Sequence, residues 1–354
     1  MDHGREADRY KPLQNTRITI SKCIISFFIA AGLVFGLLKL TKVSPSVILN
    51  TLKGVSPVAV LIGLTLHILT YWLRSVRIRL LISSKRADLR GLFDISAIHN
   101  FMNHVLPFRA GELTYIYLIN QSQGVPLGEG VGTLMIIRIM DLTAFCVFYP
   151  FTVLWLHING FVFPEYIWKA LWCVVPVFLM LTAILFVVTW KGVSAVDLLR
   201  RWFLRGFIGR SSLMCLAFDK LEEAAQSFDH LGSKKVYVSA LLMSLGLLGL
   251  VYMIAYVVIA GMGYSMSYPL VVFCSTLAYL GFILPVQGLG GFGTVEAGWT
   301  VGCLMAGFSK EMGMASGFSF HIIVLGYVSL LGLYGMLRLR KTPITAGLQG
   351  QKGT

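Results

Sequence analysis

Two arginine–carboxylate pairs stand where a chain this apolar has reason to avoid charge. Arg138 and Asp141 lie three residues apart inside a long apolar block, and Arg109 and Glu112 repeat that spacing within Leu106-Pro-Phe-Arg-Ala-Gly-Glu112. Residues three apart share a face of a helix. A charge at the centre of a membrane helix costs about 2.5–3.5 kcal/mol on insertion scales and is tolerated mainly when paired or wet. Two readings stand side by side. Each pair holds helices together as a buried ion pair, or each arginine awaits an anionic head group while the carboxylate holds it in place. Arginine suits phosphate because its planar fork donates two parallel hydrogen bonds.

Other polar residues collect at the same two places. Asn100, Asn103 and His104 precede the first break, placed either to bond a head group or to satisfy interrupted backbone. The second break, Leu284-Pro-Val-Gln-Gly-Leu-Gly-Gly-Phe-Gly-Thr-Val-Glu296, carries Gln287, the glycines 288, 290, 291 and 293, and a closing Glu296 with no basic residue near it in sequence. Glycines there permit a tight turn. A following helix would aim free N–H groups at an anion, although glycine turns also serve packing alone. The candidate binding set is therefore Asn103, Arg109, Glu112, Arg138, Asp141, Gln287, Gly290, Gly291 and Glu296. His67 and His321 read as packing or interhelical hydrogen bonds. The six cysteines have no CxxC spacing, which points to neither a metal site nor a disulfide framework. Neither a nucleophile–base pair nor a nucleotide site is visible, so the expectation is a non-enzyme without cofactors.

The elements that must position these residues are membrane helices. Of 354 residues 56% are hydrophobic and 13% charged, with a mean hydropathy of +0.76. A soluble domain carries roughly a quarter charged residues. The apolar residues form blocks of about 18 or more, the length that crosses a bilayer core, without the alternation of a barrel. The net charge of +14 sits beside these blocks and reads as topology, not as a nucleic-acid surface. The pattern predicts an all-α polytopic membrane protein with about six spanning helices, at 22–40, 56–73, 127–156, 166–190, 236–262 and 313–338. The first reads as an uncleaved signal anchor, since no small-residue cleavage site follows it. Two further stretches, 91–120 and 267–307, are broken by Pro and Gly and read as re-entrant helical hairpins, which need protein or a wet cavity around them. Tyr71, Trp72, Trp155, Trp168 and Trp190 read as interfacial anchors.

With that topology, residues 1–21 form a cytosolic tail, 22–340 the transmembrane domain and 341–354 a second cytosolic tail. Residues 74–90 and an amphipathic loop at 191–235 join them, so that 23 of 30 Lys and Arg, counting Lys22, Arg338 and Arg340 at the span ends, fall on the cytosolic face. Such a bias suits an inner (cytoplasmic) membrane protein with both termini in the cytosol. Pro107 and Pro285 differ by 178 positions, and the same shift carries 56–73 and 127–156 close to 236–262 and 313–338. An inverted repeat with broken helices meeting near the midplane is the expectation.

Four segments in order carry a resemblance: Trp72-Leu-Arg-Ser-Val-Arg77, Asn103 through Glu112, Arg138-Ile-Met-Asp141 and Pro285 through Gly298. Together they resemble the lysylphosphatidylglycerol synthase/flippase transmembrane family over about 20–340. The resemblance implies a multi-span domain with re-entrant helices that moves or handles anionic lipids, either phospholipids or polyprenyl-linked ones. The large aminoacyl-transfer domain of the synthases does not lie within these 354 residues, and Gln287 with its extended glycine run departs from them. The expected partner is an anionic membrane lipid. The first expectation is a translocator for a phosphate-bearing lipid, with Arg109 and Arg138 on phosphate. The alternative is a non-catalytic scaffold for a lipid-modifying or glycosyl-transferring enzyme.

Overall fold

A computed structural model describes residues 42–83, 87–106, 111–169, 234–283 and 289–341, with isolated positions at 31–39 and 172–183 and Arg201. The tails, the loop at 191–233, most of the expected spans at 22–40 and 166–190, and the site candidates Arg109 and Gln287 lie outside the described residues. Among the described residues nine α-helices follow in order: α1 Pro45–Lys53, α2 Pro57–Leu81, α3 Leu89–Val105, α4 Gly111–Gln123, α5 Leu127–Ile158, α6 Lys234–Gly261, α7 Tyr268–Ile283, α8 Thr294–Met305 and α9 Lys310–Lys341. A short 3-10 turn, Leu289–Gly291, precedes α8. Among the described residues there is no strand.

Four of the helices, α2, α5, α6 and α9, are long and apolar enough to cross a membrane. At 1.5 Å per residue the 32-residue α5 and α9 reach about 48 Å, more than a hydrocarbon core of about 30 Å, so they tilt or project beyond it. Their outward residues are apolar, with Leu61 and Ile62 on α2, Phe151 and Leu154 on α5, and Leu330 and Leu333 on α9 all exposed. Lipid is the solvent that makes such a surface stable.

One boundary corrects the sequence reading. The second span, expected at 56–73, runs on to Leu81. Arg74 and Arg77 are therefore helical, not part of a cytosolic loop. Tyr71 is wholly buried mid-helix and so is no interfacial anchor; its hydroxyl accepts from Asn100 Nδ2 at 2.8 Å. The apolar run Ile78, Leu80, Leu81 and Ile82 resumes after the arginines and keeps the helix going.

The two broken stretches each give a pair of short helices, α3 with α4 and α7 with α8. The start of α3 lies beside the end of α4, where the Asp88 N–H donates to Gln123 Oε1 at 2.8 Å. Nearby, Glu129 at the start of α5 accepts from Ser83 Oγ at 2.9 Å and ties down the end of α2. A buried cluster of Leu81, Ala87, Val125 and Tyr237 closes that end of the bundle. The outer ends of α7 and α8 belong to another cluster, in which Met266, Cys303 and Met305 pack with Leu156, Ile167 and Ile259. There α2 begins against the end of α6, with the Ser56 N–H on the Gly261 carbonyl at 2.8 Å. Tight packing of α7 on α8 depends on Gly298 and Gly302. A Cβ on them would stand 2.4 Å from the Leu277 carbonyl oxygen and 2.7 Å from Cys274 Cα.

Candidate ligand cavity at the helix breaks

The inner ends of the two short-helix pairs meet. The turn before α8 packs on α3, and a Cβ on Gly290 would lie 3.7 Å from the His104 carbonyl oxygen. Gly290, Gly291 and Gly293 have φ of 67°, 81° and 89°, a region open to glycine and costly for other residues. Glu296 reaches back from the first turn of α8 and accepts from the Gly293 N–H at 2.7 Å. Its other oxygen stands 2.5 Å from His321 Nδ1 on α9, and the His321 ring stacks on Phe292 with centroids 4.5 Å apart. The interhelical role expected of His321 is thus met, and its partner is the carboxylate that lacked one in sequence.

Beside these tips lies a cavity of about 230 Å³. Its polar wall is made by His67 and Arg74 from α2, by His99, Asn100, Asn103 and His104 from α3, by Arg138 and Asp141 from α5 and by His321. Its apolar wall comes from α6, α7, α8 and α9, through Val251, Ala255, Ala278, Val295, Phe320 and Val324. Trp299, also on the lining, donates from Nε1 to Ser316 Oγ at 2.9 Å.

The ion pairs are not the ones sequence spacing suggested. Asp141 does not pair along its own helix with Arg138; Arg77 of α2 takes it in a two-pronged contact, with Nη2 3.4 Å from Oδ2 and Nη1 on Oδ1. Arg77 Nη1 also donates to Ser244 Oγ of α6, and the Arg77 side chain is 2% exposed. Arg138 instead reaches Glu112 at the start of α4, at 2.8 Å, and both side chains are about one-third exposed, at 33% and 32%. A shared helical face brings Arg138 and Asp141 to one cavity, but neighbouring helices supply better-placed partners. Glu112 therefore pairs with Arg138, whereas Arg109, the partner expected for it, lies outside the described residues.

Arg74 is the residue that sequence reading missed. It lines the cavity, its Nε is buried without a hydrogen-bond partner, and among the described residues no carboxylate forms an ion pair with it. Asp141 attracts it at longer range but is already held by Arg77. Three arginines thus meet two carboxylates. A usable signal was present: His67, Arg74 and Arg77 recur on one side of a helix whose apolar pattern outlasts them. Asn103 Oδ1 and His67 Nε2 are also buried without partners among the described residues. His99 Nδ1 meets the Gly111 carbonyl at 3.0 Å and so satisfies backbone across the first break. Of the remaining candidates, Gly290 and Gly291 are buried in the turn and Glu296 stands behind His321, so they shape the wall from outside the cavity surface.

The family model of the lysylphosphatidylglycerol synthase transmembrane region matches residues 23–332. The chain belongs to that family. The match takes in every residue that lines the cavity, and it bears out the resemblance drawn from the four sequence segments. No curated protein and no solved structure matches the chain. As a lysylphosphatidylglycerol synthase transmembrane family member, the chain is a multi-pass membrane protein whose polar residues converge on one internal cavity.

Proposed function

We propose that this chain binds the phosphate-bearing head group of an anionic lipid in the cavity and passes it between leaflets while the acyl or polyprenyl tails stay in lipid. The single observation that carries the reading is Arg74. A buried cation that forms no ion pair of its own among the described residues is costly, and a monoanionic head group would offset that cost. Arg138 adds a second guanidinium on the same cavity, and the unpartnered Asn103 Oδ1 suits a hydroxyl donor. This is transport, not catalysis.

The architecture supports the transport half of the proposal. Shifted by about 180 positions, α2, α3, α4 and α5 map onto α6, α7, α8 and α9. The packing maps too: α3 on α9 answers α7 on α5, and α5 on α6 answers α9 on α2. The short-helix pairs open toward opposite ends of the bundle and touch at their tips, as expected of re-entrant hairpins in an inverted repeat. Substrate sites in such folds lie at the meeting of broken helices, and rocking of one half against the other exposes them alternately.

Purified protein in phosphatidylcholine vesicles carrying acyl-labelled phosphatidylglycerol tests the reading, with dithionite bleaching as the measure of leaflet exchange. The wild-type chain should exchange the probe, and Arg74→Ala should not. Equal exchange by Arg74→Ala and wild type would remove the head-group site from this cavity.

A further inference from the structure

The two glutamates that close the breaks have matching partners. Glu112 is the second residue of α4 and pairs with Arg138, the twelfth residue of α5. Glu296 is the third residue of α8 and pairs with His321, the twelfth residue of α9. Helices α5 and α9 are each 32 residues long. The halves therefore build the same device, a break-closing carboxylate held by a basic side chain on the following long helix. They differ in one respect: the first half uses a permanent cation and the second an imidazole. Imidazole is the side chain that ordinarily gains and loses a proton near physiological pH.

We propose that the Glu296–His321 pair is a proton-binding site that couples movement of the anionic head group to movement of one proton in the same direction. This rests on the translocation reading above. His321 has one ring nitrogen on Glu296 and belongs to the cavity wall, so a proton there is shared between a fixed carboxylate and whatever occupies the cavity. The groups around it decide the coupling. Arg74 and His67 face it from α2, His99 and His104 from α3, and Arg138 with Asp141 from α5. Tyr252 and Tyr279 complete the ring from α6 and α7, while α1 meets α9 through the Ile48 carbonyl and Ser319. On the cavity wall Arg74 and Arg138 oppose a further positive charge. A bound phosphate offsets them and favours the imidazolium, so anion and proton each strengthen the other's binding. Monoanion and proton cross together without net charge. The lipid's covalent bonds are unchanged; the proton binds a ring nitrogen of His321 from one side and is released to the other.

The turn gives the pair mechanical reach. Glu296 also holds the Gly293 N–H, and Phe292 lies on the His321 ring, so the charge of the pair bears directly on the tip of the second break.

The test uses the full chain in phosphatidylcholine vesicles with acyl-labelled phosphatidylglycerol and a pH-sensitive dye in the lumen. For one-to-one coupling, a gradient of one pH unit should shift the steady-state leaflet ratio of the probe about tenfold toward the alkaline side. The dye should report proton entry only when the probe is present. His321→Arg copies the first half, and its ratio with and without a gradient should be the same whatever its overall rate. Glu296→Gln, nearly isosteric, should give the same loss if His321→Arg does not fold. A wild-type chain that exchanges the probe with no response to the gradient would overturn the coupling and leave translocation standing. Retention of the tenfold shift in either variant would overturn the site. If the wild type moves no probe under any gradient, translocation and coupling fall together.

Discussion

The three arginines of the cavity region differ in what they do for the fold, and the differences are measurable. Arg77 and Asp141 form the buried pair, with side chains 2% and 21% exposed. Removing one partner strands the other, so Asp141→Ala should cost about 3–5 kcal/mol, and Arg77→Met/Asp141→Leu should recover most of it. Thermal melting of the purified single and double variants checks this, and an Asp141→Ala protein that melts like wild type would show that the pair is not buried as described. Arg138 and Glu112 are wetter, and breaking their pair should cost only about 1 kcal/mol or less. Arg74 reverses the sign. With no ion-pair partner among the described residues to strand, Arg74→Ala should melt at the wild-type temperature or above it while losing anion binding, the usual signature of a residue kept at the expense of stability. Lower melting of Arg74→Ala would place the arginine in the framework and not in the site. Sequence showed two of the charged positions in this cavity, Arg138 and Asp141, because charge inside an apolar block is rare enough to stand out, and not Arg74, which sits where the apolar block looks finished. It did not show the partners, because three-residue spacing brings Arg138 and Asp141 to one face without deciding which neighbouring helix is closest.

The helix breaks were legible for a local reason. Proline removes a backbone donor and glycine opens positive φ, so Leu106-Pro and the run to Gly293 mark interruptions without any knowledge of neighbours, and α3/α4 and α7/α8 fall where expected. The end of α2 was not legible in the same way. Charge after an apolar block predicts the end of a span, whereas Arg74 and Arg77 are accommodated by Asp141, Ser244 and the cavity, all distant in sequence. The glycines that fit α8 onto α7 also depend on tertiary contact. Gly302→Val would drive a side chain into Cys274 Cα, overpacking that typically costs about 1–3 kcal/mol. Because Ala278, Val295 and Trp299 of the same pair line the cavity, the variant should lose probe exchange as well as melting temperature. Gly326→Ala, at a position with nothing within 4 Å of a Cβ, should change neither. Equal melting of Gly302→Val and Gly326→Ala would mean that the two short helices are not in contact there.

At the scale of the molecule, charge and packing together orient the bundle. One end gathers Arg79, Arg90, Lys235 and Arg338, with Arg338 3.6 Å from Asp94 of α3. The opposite end carries Lys53, Lys169 and Lys310 together with Glu165 and Glu311, and Lys169 pairs with Glu165 at 3.0 Å. Returning Arg74 and Arg77 to the membrane removes two charges from the count that first suggested the topology, yet the asymmetry stays on the same end. Orientation follows the positive charge that flanks spans on the cytosolic side, so the end holding Ser122 and Asp88 should face the cytosol and the end holding Val162 should face outward. Ser122 and Val162 are both exposed, Val162 at 86%, so cysteine there disturbs no packing. In a background lacking the exposed Cys173, a membrane-impermeant thiol reagent added to intact cells should label Val162→Cys and spare Ser122→Cys until the membrane is opened. The same experiment bears on the hairpins. Gln123 and Asp88 close one pair of short helices at the end expected to face the cytosol, whereas Met266 and Met305 close the other at the end expected to face outward. A cysteine at Ser309, just beyond α8, should therefore label with Val162 and not with Ser122. Labelling of positions 122 and 309 from the same side would mean that the two halves run parallel, and rocking about a shared midplane site would lose its structural basis.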